Sequence, residues 1–450
     1  MTWTKNAIFY HIYPLGLCDA PLENDFTSKP IERLKEIEDW IPHLKSLGIN
    51  ALYLGPVFES TSHGYDTADY FTVDRRLGTN ATLKKLITKL HKNGIKIVLD
   101  GVFNHVGRNF PQFLDVLQNK GSSPFASWFS GINFNGNTPY NDGFSYDTWG
   151  GHYNLVKLNF NNGEVKNLIL KIVDFWIKEF KIDGLRLDAA DCIDLNFLKE
   201  LSKFCKSKSE EFFLLGEIIF GDYSRWANKD TLDSVTNYEA YKGLYSSHNS
   251  LNYFEIAYSL NREFGEGGIY KDLPLYNFID NHDVNRIAST LTDIDNIYPT
   301  YALLLTMPGI PSIYYGSEFA IKGTKQNNSD KDLRPALKTD IIKNSENKQL
   351  IDFIKVLCKL RVDSEALAEG LYKQLFISNK QFAFLRYSKN EKIIVALNCS
   401  KECSIINFQN NLGITSLLDV LNEKTIKLNL NDNINIDLKE NEAKIFKVMS

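Results

Sequence analysis

The 450-residue sequence has few of the features that mark exported, metal-clustered or membrane-spanning proteins. Its six cysteines are scattered, and no second pair accompanies Cys399 and Cys403 to complete a zinc-binding spacing. No apolar run approaches the roughly 20 residues that a transmembrane helix needs. The N-terminal stretch has no basic segment followed by a continuous apolar core, so we expect no signal peptide. These absences predict a cytoplasmic protein with free thiols.

An excess of positive charge is also lacking. The 51 Lys and Arg residues are outnumbered by 55 Asp and Glu residues, which gives a formal net charge of −4 at pH 7. This balance argues against a nucleic-acid surface, which needs a basic patch, and no block of like charges suggests a membrane-binding tail. We therefore expect neither nucleic acid nor a membrane as a partner. Composition leaves open whether the protein is a monomer or a homo-oligomer.

The segment Phe180–Asp191 (FKIDGLRLDAAD) has the pattern of a buried parallel strand that ends in charged residues. Arg186 and Asp188 are two residues apart, so the strand period places both side chains on the same side. In a parallel barrel, polar groups at the carboxyl ends of strands form the active site. Taken alone, the pattern fits a structural Arg–Asp ion pair equally well.

The same kind of strand end recurs three more times. The runs Ile95–Asp100, Phe212–Glu217 and Leu275–Asp283 are apolar, and each ends in at least one carboxylate. The first is followed by His105, and the last contains His282. Four such ends would converge on one mouth of a parallel barrel, which favours a functional site over four separate ion pairs.

Strand and helix patterns alternate along most of the chain, as in a parallel α/β barrel. The apolar spacing over Ile31–Leu47, for example, predicts one helix. The alternation stops after the third strand in a long stretch rich in Gly, Asn and Ser, and from about Leu371 short alternating strands predict an all-β module. We therefore predict an α/β fold made of a (β/α)8 TIM barrel (residues 1–106 and 158–365), an inserted subdomain after strand 3 (107–157) and a C-terminal β-sandwich domain (371–450).

Four segments resemble, in order, the four motifs of the alpha-amylase family of glycoside hydrolases. They are DGVFNH (Asp100–His105), GLRLD (Gly184–Asp188), LLGEI (Leu214–Ile218) and FIDNHD (Phe278–Asp283). The stretches Ala51–Asp74 and Gly309–Glu318 resemble two further parts of the family. The resemblance covers nearly the whole chain, and it implies a barrel with an inserted subdomain and a terminal β-sandwich.

The resemblance also implies a retaining mechanism with two carboxyl groups about 5 to 5.5 Å apart. By motif, Asp188 is the nucleophile, Glu217 is the general acid/base, and Asp283 is a third carboxylate that favours the positively charged transition state. Arg186 is expected to keep Asp188 ionised, while Glu217 holds its proton. Substrate contacts are implied for Tyr65, Asp66, His105, Arg186, His282 and Arg334.

Among these, Asp66 and Arg334 are expected to pair across the mouth and to hold the sugar on the non-reducing side of the bond. The alternative is two exposed loop charges, whose pairing contributes about 1 kcal/mol at most. His105 and His282 are expected to donate hydrogen bonds to sugar hydroxyls, and Tyr65 is expected to stack beneath the reacting sugar. Each of these three, taken singly, also fits an ordinary packing residue.

Two segments resemble the cyclomaltodextrinase, neopullulanase and maltogenic-amylase branch of the family. LVKLN (Leu155–Asn159) has Val156 where proline is usual, and DAADCIDLNFL (Asp188–Leu198) has Cys192 where glutamate is usual. With a first strand predicted at about Ala7, we expect the N-terminal domain usual in that branch to be lacking. A cleft without that domain could admit longer chains.

The expected activity is hydrolysis of α-1,4-linked maltooligosaccharides, cyclodextrins or starch-type glucans, and cleavage of α-1,6 bonds is left open. A transglycosylase or isomerase of the same fold is an alternative, since it differs in how well water is excluded from the intermediate. A non-catalytic sugar-binding relative is disfavoured because all three carboxylates are present. No cofactor or metal site is expected. Asn104 is a calcium ligand in some alpha-amylases, but nothing else in the sequence forms a recognisable calcium cage.

Overall fold

A computed structural model describes residues 3–327, 329–430 and 432–449. The predicted outer boundaries at residues 1 and 450 lie outside this part, and the predicted domain boundaries between them stay predictions. Over the described ranges, no helix has both the length and the apolar content to cross a membrane.

Eight parallel strands form the central sheet, and strands that follow one another along the chain are neighbours in it. The sheet closes between the sixth and seventh strands, where the N–H of Asn237 donates to the carbonyl of Tyr276 at 2.9 Å. The predicted (β/α)8 barrel is therefore confirmed. In chain order its strands are Phe9–Ile12, Ala51–Leu54, Lys96–Gly101, Gly184–Leu187, Phe213–Gly216, Ser234–Val235, Tyr276–Phe278 and Ile310–Tyr314.

Helices connect these strands and follow the last one, and their apolar faces pack against the outside of the sheet. The α-helices are Pro14–Leu17, Lys35–Glu38, Ile41–Leu47, Asn80–Lys92, Pro111–Asn119, Gly163–Phe180, Leu195–Lys208, Tyr238–Asn249, Phe254–Phe264, Ile287–Thr290, Ile297–Thr306, Asp340–Asn344, Lys348–Asp363 and Glu365–Ala368.

The predicted single helix over Ile31–Leu47 is wrong. The segment forms two short helices, Lys35–Glu38 and Ile41–Leu47. Pro42 has no N–H to donate to the carbonyl of Glu38, so the helical hydrogen-bond ladder cannot run through this point. The helical spacing of apolar residues continues across the gap between the two helices, which is why periodicity alone predicts one helix.

The stretch between the third barrel strand and helix Gly163–Phe180 has a sheet of its own. Its three antiparallel strands are His105–Gly107, Thr148–Trp149 and His152–Lys157. A second small hairpin, Phe58–Ser60 with Thr67–Val73, follows the second barrel strand. Both excursions begin at carboxyl ends of barrel strands, so they stand beside the mouth.

The C-terminal part is antiparallel, as predicted. A six-stranded sheet and a two-stranded sheet share one apolar core that includes Leu385, Ile406 and Phe446. The strands are Leu371–Ile377, Gln381–Tyr387, Lys392–Asn398, Ser404–Phe408, Ser416–Asp419, Lys424–Lys427, Ile434–Leu438 and Ala443–Met449.

A buried carboxyl group lies beside the closing joint of the barrel. Glu263 has 0% exposure, and its Oε2 accepts a hydrogen bond from Asn237 at 2.8 Å. Asn237 also donates to Asn277 of the seventh strand at 3.0 Å. The Oε1 atom of Glu263 has no partner among the described residues. Burial raises the pKa of Glu263 to about 8.

We expect the stability of the wild type to fall, relative to that of Glu263→Gln, as the pH rises. The folded-state pKa of about 8 lies above the unfolded value of about 4.3. The contribution of the protonated group is therefore complete below the unfolded pKa and is lost as the pH rises through the folded pKa. Melting temperatures of both proteins between pH 5 and pH 9 test this, and parallel curves would contradict it.

Candidate active site

One guanidinium group contacts three carboxylates at the carboxyl ends of neighbouring strands. Nη1 of Arg186, in the fourth strand, donates to Asp100 at 2.9 Å and to Asp188 at 2.8 Å. Nη2 of Arg186 lies 2.9 Å from Oε1 of Glu217. Asp100 lies in the third strand and Glu217 directly follows the fifth, and these two strands flank the fourth on either side. The structure thus brings together the ends of three predicted strands.

Charge balance in this cluster determines where protons are held. Burial raises the pKa of Asp188 well above its usual range; Arg186 opposes this shift, and Glu217 and Asp100 reinforce it. One positive charge does not neutralise three buried carboxylates. Asp188 therefore holds a proton more tightly than an isolated aspartate does. The expected effect of Arg186, which favours the ionised form of Asp188, is present, but burial and the neighbouring carboxylates oppose it.

Asp283, the third predicted catalytic carboxylate, is held from two sides. Nε2 of His282 lies 2.9 Å from its Oδ2, and Nη2 of Arg334 lies 2.9 Å from its Oδ1. Withdrawal from water raises the pKa of Asp283, but His282 and Arg334 outweigh this effect and hold the pKa below its usual range. Asp283 is consequently ionised at neutral pH, with its side chain 35% exposed.

Tyr65 connects the two groups of carboxylates. Its hydroxyl donates to Asp100 at 3.2 Å and lies 2.5 Å from Nε2 of His282. The Tyr65 ring stacks on the His282 ring, with centroids 5.4 Å apart and planes 10° from parallel. The hydroxyl and the ring face of Tyr65 are therefore both held in place, so Tyr65 is not a loosely packed loop residue.

His105 lies beside the predicted nucleophile and is almost completely buried. Its Nε2 is 4.0 Å from Oδ2 of Asp188 and 3.1 Å from the carbonyl oxygen of Tyr65. Burial lowers the pKa of His105 to about 4, so the imidazole is neutral at pH 7 and Nε2–H donates to that carbonyl. The ring of Trp149, from the inserted sheet, lies 5.8 Å away.

Asp66 and Arg334 make contacts other than the expected pair. Asp66 is 2% exposed, and its carboxylate accepts hydrogen bonds from the N–H of Ser62 at 3.0 Å and from its hydroxyl at 2.7 Å. Arg334 contacts Asp330 at 3.0 Å as well as Asp283. Neither residue is an exposed loop charge. Asp66 holds its own loop in shape, whereas Arg334 belongs to the site.

Sequence reasoning missed several residues that contact the site. The hydroxyl of Tyr53 donates to Asp100 at 2.6 Å, and the guanidinium of Arg334 lies 4.7 Å from the centroid of the Tyr13 ring. Tyr13 follows the first barrel strand, so the strand-end rule could have found it. Tyr53 looks like an ordinary apolar strand residue, and Asp330 lies in an irregular loop, so no pattern marks either.

The residues around Asn104 do not fit a calcium site. Its amide nitrogen contacts Nδ1 of His105 at 3.2 Å, and its buried Oδ1 has no partner among the described residues. Calcium takes six to eight oxygen ligands, and one amide oxygen is far from that set. Within the described ranges, no group of three or more His, Cys, Asp or Glu side chains could hold a metal ion.

The model of the alpha-amylase catalytic domain matches residues 24–355, well over half of the chain. The chain belongs to the alpha-amylase family. A cyclomaltodextrinase from Bacillus sp is 32% identical over an alignment of 422 residues that covers 89% of this chain and 74% of that protein. A maltogenic alpha-amylase from Bacillus acidopullulyticus is 31% identical over 472 residues, covering 99% of this chain and 78% of the relative.

Solved structures agree with this family assignment. The cyclic alpha-maltosyl-(1→6)-maltose hydrolase from Arthrobacter globiformis superposes with a TM-score of 0.81 at 27% identity, over 97% of this chain and 100% of that one. The resemblance inferred from the motifs is confirmed, and the protein is an alpha-amylase family glycosidase.

Replacing Arg186 by Met should lower the free energy of unfolding by about 3–5 kcal/mol, because it leaves buried carboxylates without their cation. Urea unfolding at pH 7 measures the loss, which should shrink at pH 5 as the carboxyl groups take up protons. Lys84→Met is the matched control, because the Lys84–Glu179 pair is exposed and contributes about 1 kcal/mol at most. Equal losses in the two variants would contradict the dominant role of Arg186.

Proposed function

We propose that the protein is a retaining glycoside hydrolase that cleaves α-1,4-glucosidic bonds of maltooligosaccharides, cyclodextrins or starch-type glucans. The observation that carries the proposal is the guanidinium of Arg186, which contacts both Asp188 and Glu217. Glycoside cleavage needs two neighbouring carboxyl groups, one protonated and one ionised. The relatives support the substrate class, since the names cyclomaltodextrinase and cyclic alpha-maltosyl-(1→6)-maltose hydrolase refer to cyclic α-glucans.

In the first step, Glu217 donates its proton to the glycosidic oxygen while an oxygen of Asp188 attacks the anomeric carbon. The bond from the anomeric carbon to the leaving oxygen breaks, and an ester between the sugar and Asp188 forms. Because burial raises the pKa of Asp188, substrate binding must leave Asp188 ionised and the proton on Glu217. Asp283, held ionised by His282 and Arg334, stabilises the positive charge that develops on the sugar ring.

In the second step, Glu217 takes a proton from water as the water oxygen attacks the same carbon. The ester bond to Asp188 breaks, and the free carboxylate is restored. Two successive inversions leave the product with the α configuration of the substrate. The proton that Glu217 gains is the one it donates in the next cycle.

The sugar in the reacting position is proposed to contact His105, His282 and Tyr65, and Arg334 to reach a neighbouring hydroxyl. Burial lowers the pKa of His105 to about 4, so this ring adds no charge beside the nucleophile. Cleavage of α-1,6 bonds would use the same groups. The free thiols of all six cysteines support the proposed cytoplasmic location.

Product analysis tests the function and the mechanism together. The wild type should release products from maltooligosaccharides, β-cyclodextrin, pullulan or starch, and proton NMR of fresh product should show the α-anomer first.

Asp188→Asn should reduce turnover about 10⁴-fold or more, the scale seen when a catalytic unit loses a member. Asp191→Asn removes a nearby exposed carboxylate and should leave turnover unchanged. Early β-anomer would show inversion, and products longer than the substrate would identify a transglycosylase.

Activity should also survive chelation. The proposed chemistry uses only carboxyl, imidazole and guanidinium groups, so none of its steps requires a metal ion. Turnover of maltoheptaose after dialysis against EDTA should equal that of the untreated protein. Loss of turnover that added calcium restores would assign a metal site to the loop of Asn104.

A further inference from the structure

A further buried histidine lies beneath the candidate active site, and the proposed reaction does not use it. His11, in the first barrel strand, is 3% exposed. Its ring stacks on Tyr53 at 4.2 Å and meets the ring of His282 edge to face, at 5.1 Å and 85°. The ring of Tyr314 lies 4.8 Å away on the eighth strand. His11 therefore touches a proposed substrate-binding residue from below without reaching the mouth.

Each of the two imidazoles has one nitrogen that is not satisfied by protein. Nε2 of His11 and Nδ1 of His282 are both buried and have no hydrogen-bond partner among the described residues. Buried polar atoms in folded proteins are nearly always hydrogen-bonded, to protein or to an ordered water. Each of these two atoms therefore needs a partner, and the contact between their rings suits one water that pairs with both.

The hydrogen-bond roles of these nitrogens follow from their neighbours. Nε2 of His282 carries a hydrogen, because it contacts the ionised carboxylate of Asp283 at 2.9 Å. Burial lowers the pKa of His11 well below its usual range, so this ring is neutral and has one nitrogen without a hydrogen. A water molecule can donate two hydrogen bonds and accept two, so one water can pair with Nδ1 of His282 and with Nε2 of His11.

We propose that His11 is a positioning residue, which holds the ring of His282 through one buried water between Nε2 of His11 and Nδ1 of His282. The catalytic consequence rests on the proposed function. His282 must keep its Nε2–H on Asp283 and its face on Tyr65 at 5.4 Å. A flipped or tilted ring would lose the first contact, and Asp283 would lose one of its two partners. His11 thus fixes Asp283 indirectly.

Three variants test this role in the full-length protein. His11→Phe keeps an aromatic ring against Tyr53 but removes the nitrogen, and should lower kcat about tenfold to a hundredfold with little change in KM, as expected from misplacement of a group near the reaction by about 1 Å. His11→Gln restores a polar atom and should recover most of kcat. His43→Gln is the control, because His43 is also a buried histidine but contacts Glu318, at 2.9 Å, outside the site.

Two measurements do not depend on turnover. A high-resolution crystal structure of the wild type should contain the bridging water. The ¹⁵N shift of Nδ1 of His282 should move in His11→Phe and stay close to its wild-type value in His11→Gln. A folded His11→Phe protein with wild-type kcat, or a crystal structure without the water, would overturn the proposal. If the wild type does not act on glucans, the proposed function fails, while the water and the ¹⁵N shift still decide the role of His11.

Discussion

A single buried cation among three carboxylates is the constraint on which the rest of the site depends. Removing an ion from water costs several kcal/mol even after relaxation, and Arg186 can balance only one of the three negative charges. The hydroxyls of Tyr53 and Tyr65 donate to Asp100, and the raised pKa of Asp188 favours its neutral form. The remaining negative potential is what a cationic transition state would meet on forming. The excess of negative charge thus lowers the stability of the fold, and the same excess suits a reaction with a cationic transition state.

The parallel barrel explains why this cluster can exist at the mouth and nowhere deeper. Asp100 and Arg186 are register partners on adjacent strands, so their side chains are neighbours without any loop to place them. Below them the barrel interior is filled by large apolar rings, including Phe9, Phe213 and Tyr276. Charges could not be satisfied in that layer. The polar residues of each strand therefore belong at its carboxyl end, where water and substrate can reach them.

The features that the sequence predicts best are those that follow from the regular spacing of side chains along a strand. Arg186 and Asp188 end an apolar strand two residues apart, and the ends of parallel strands meet, so the cluster follows from spacing alone. The partners of Asp66 and Arg334 do not follow, since both lie in loops where no period applies. Asp66 is satisfied by the nearby Ser62, a local contact that adjacency of two loops does not reveal. The chemical roles of the residues depend on proton positions, which neither spacing nor geometry alone determines.

Two buried arginines, Arg361 and Arg386, lie where the barrel meets the C-terminal sheet. In the described part of the chain, the only hydrogen-bond partners of Arg361 and Arg386 are backbone carbonyls, among them those of Leu305 at 2.9 Å and Thr306 at 2.6 Å. These carbonyls end helix Ile297–Thr306, where unpaired groups and the helix dipole carry partial negative charge. Many partial charges thus surround each of these two cations, whereas at the mouth of the barrel the guanidinium of Arg186 contacts three carboxylates. The cluster around Arg186, by contrast, gathers full negative charges at the end of the barrel where a sugar can bind.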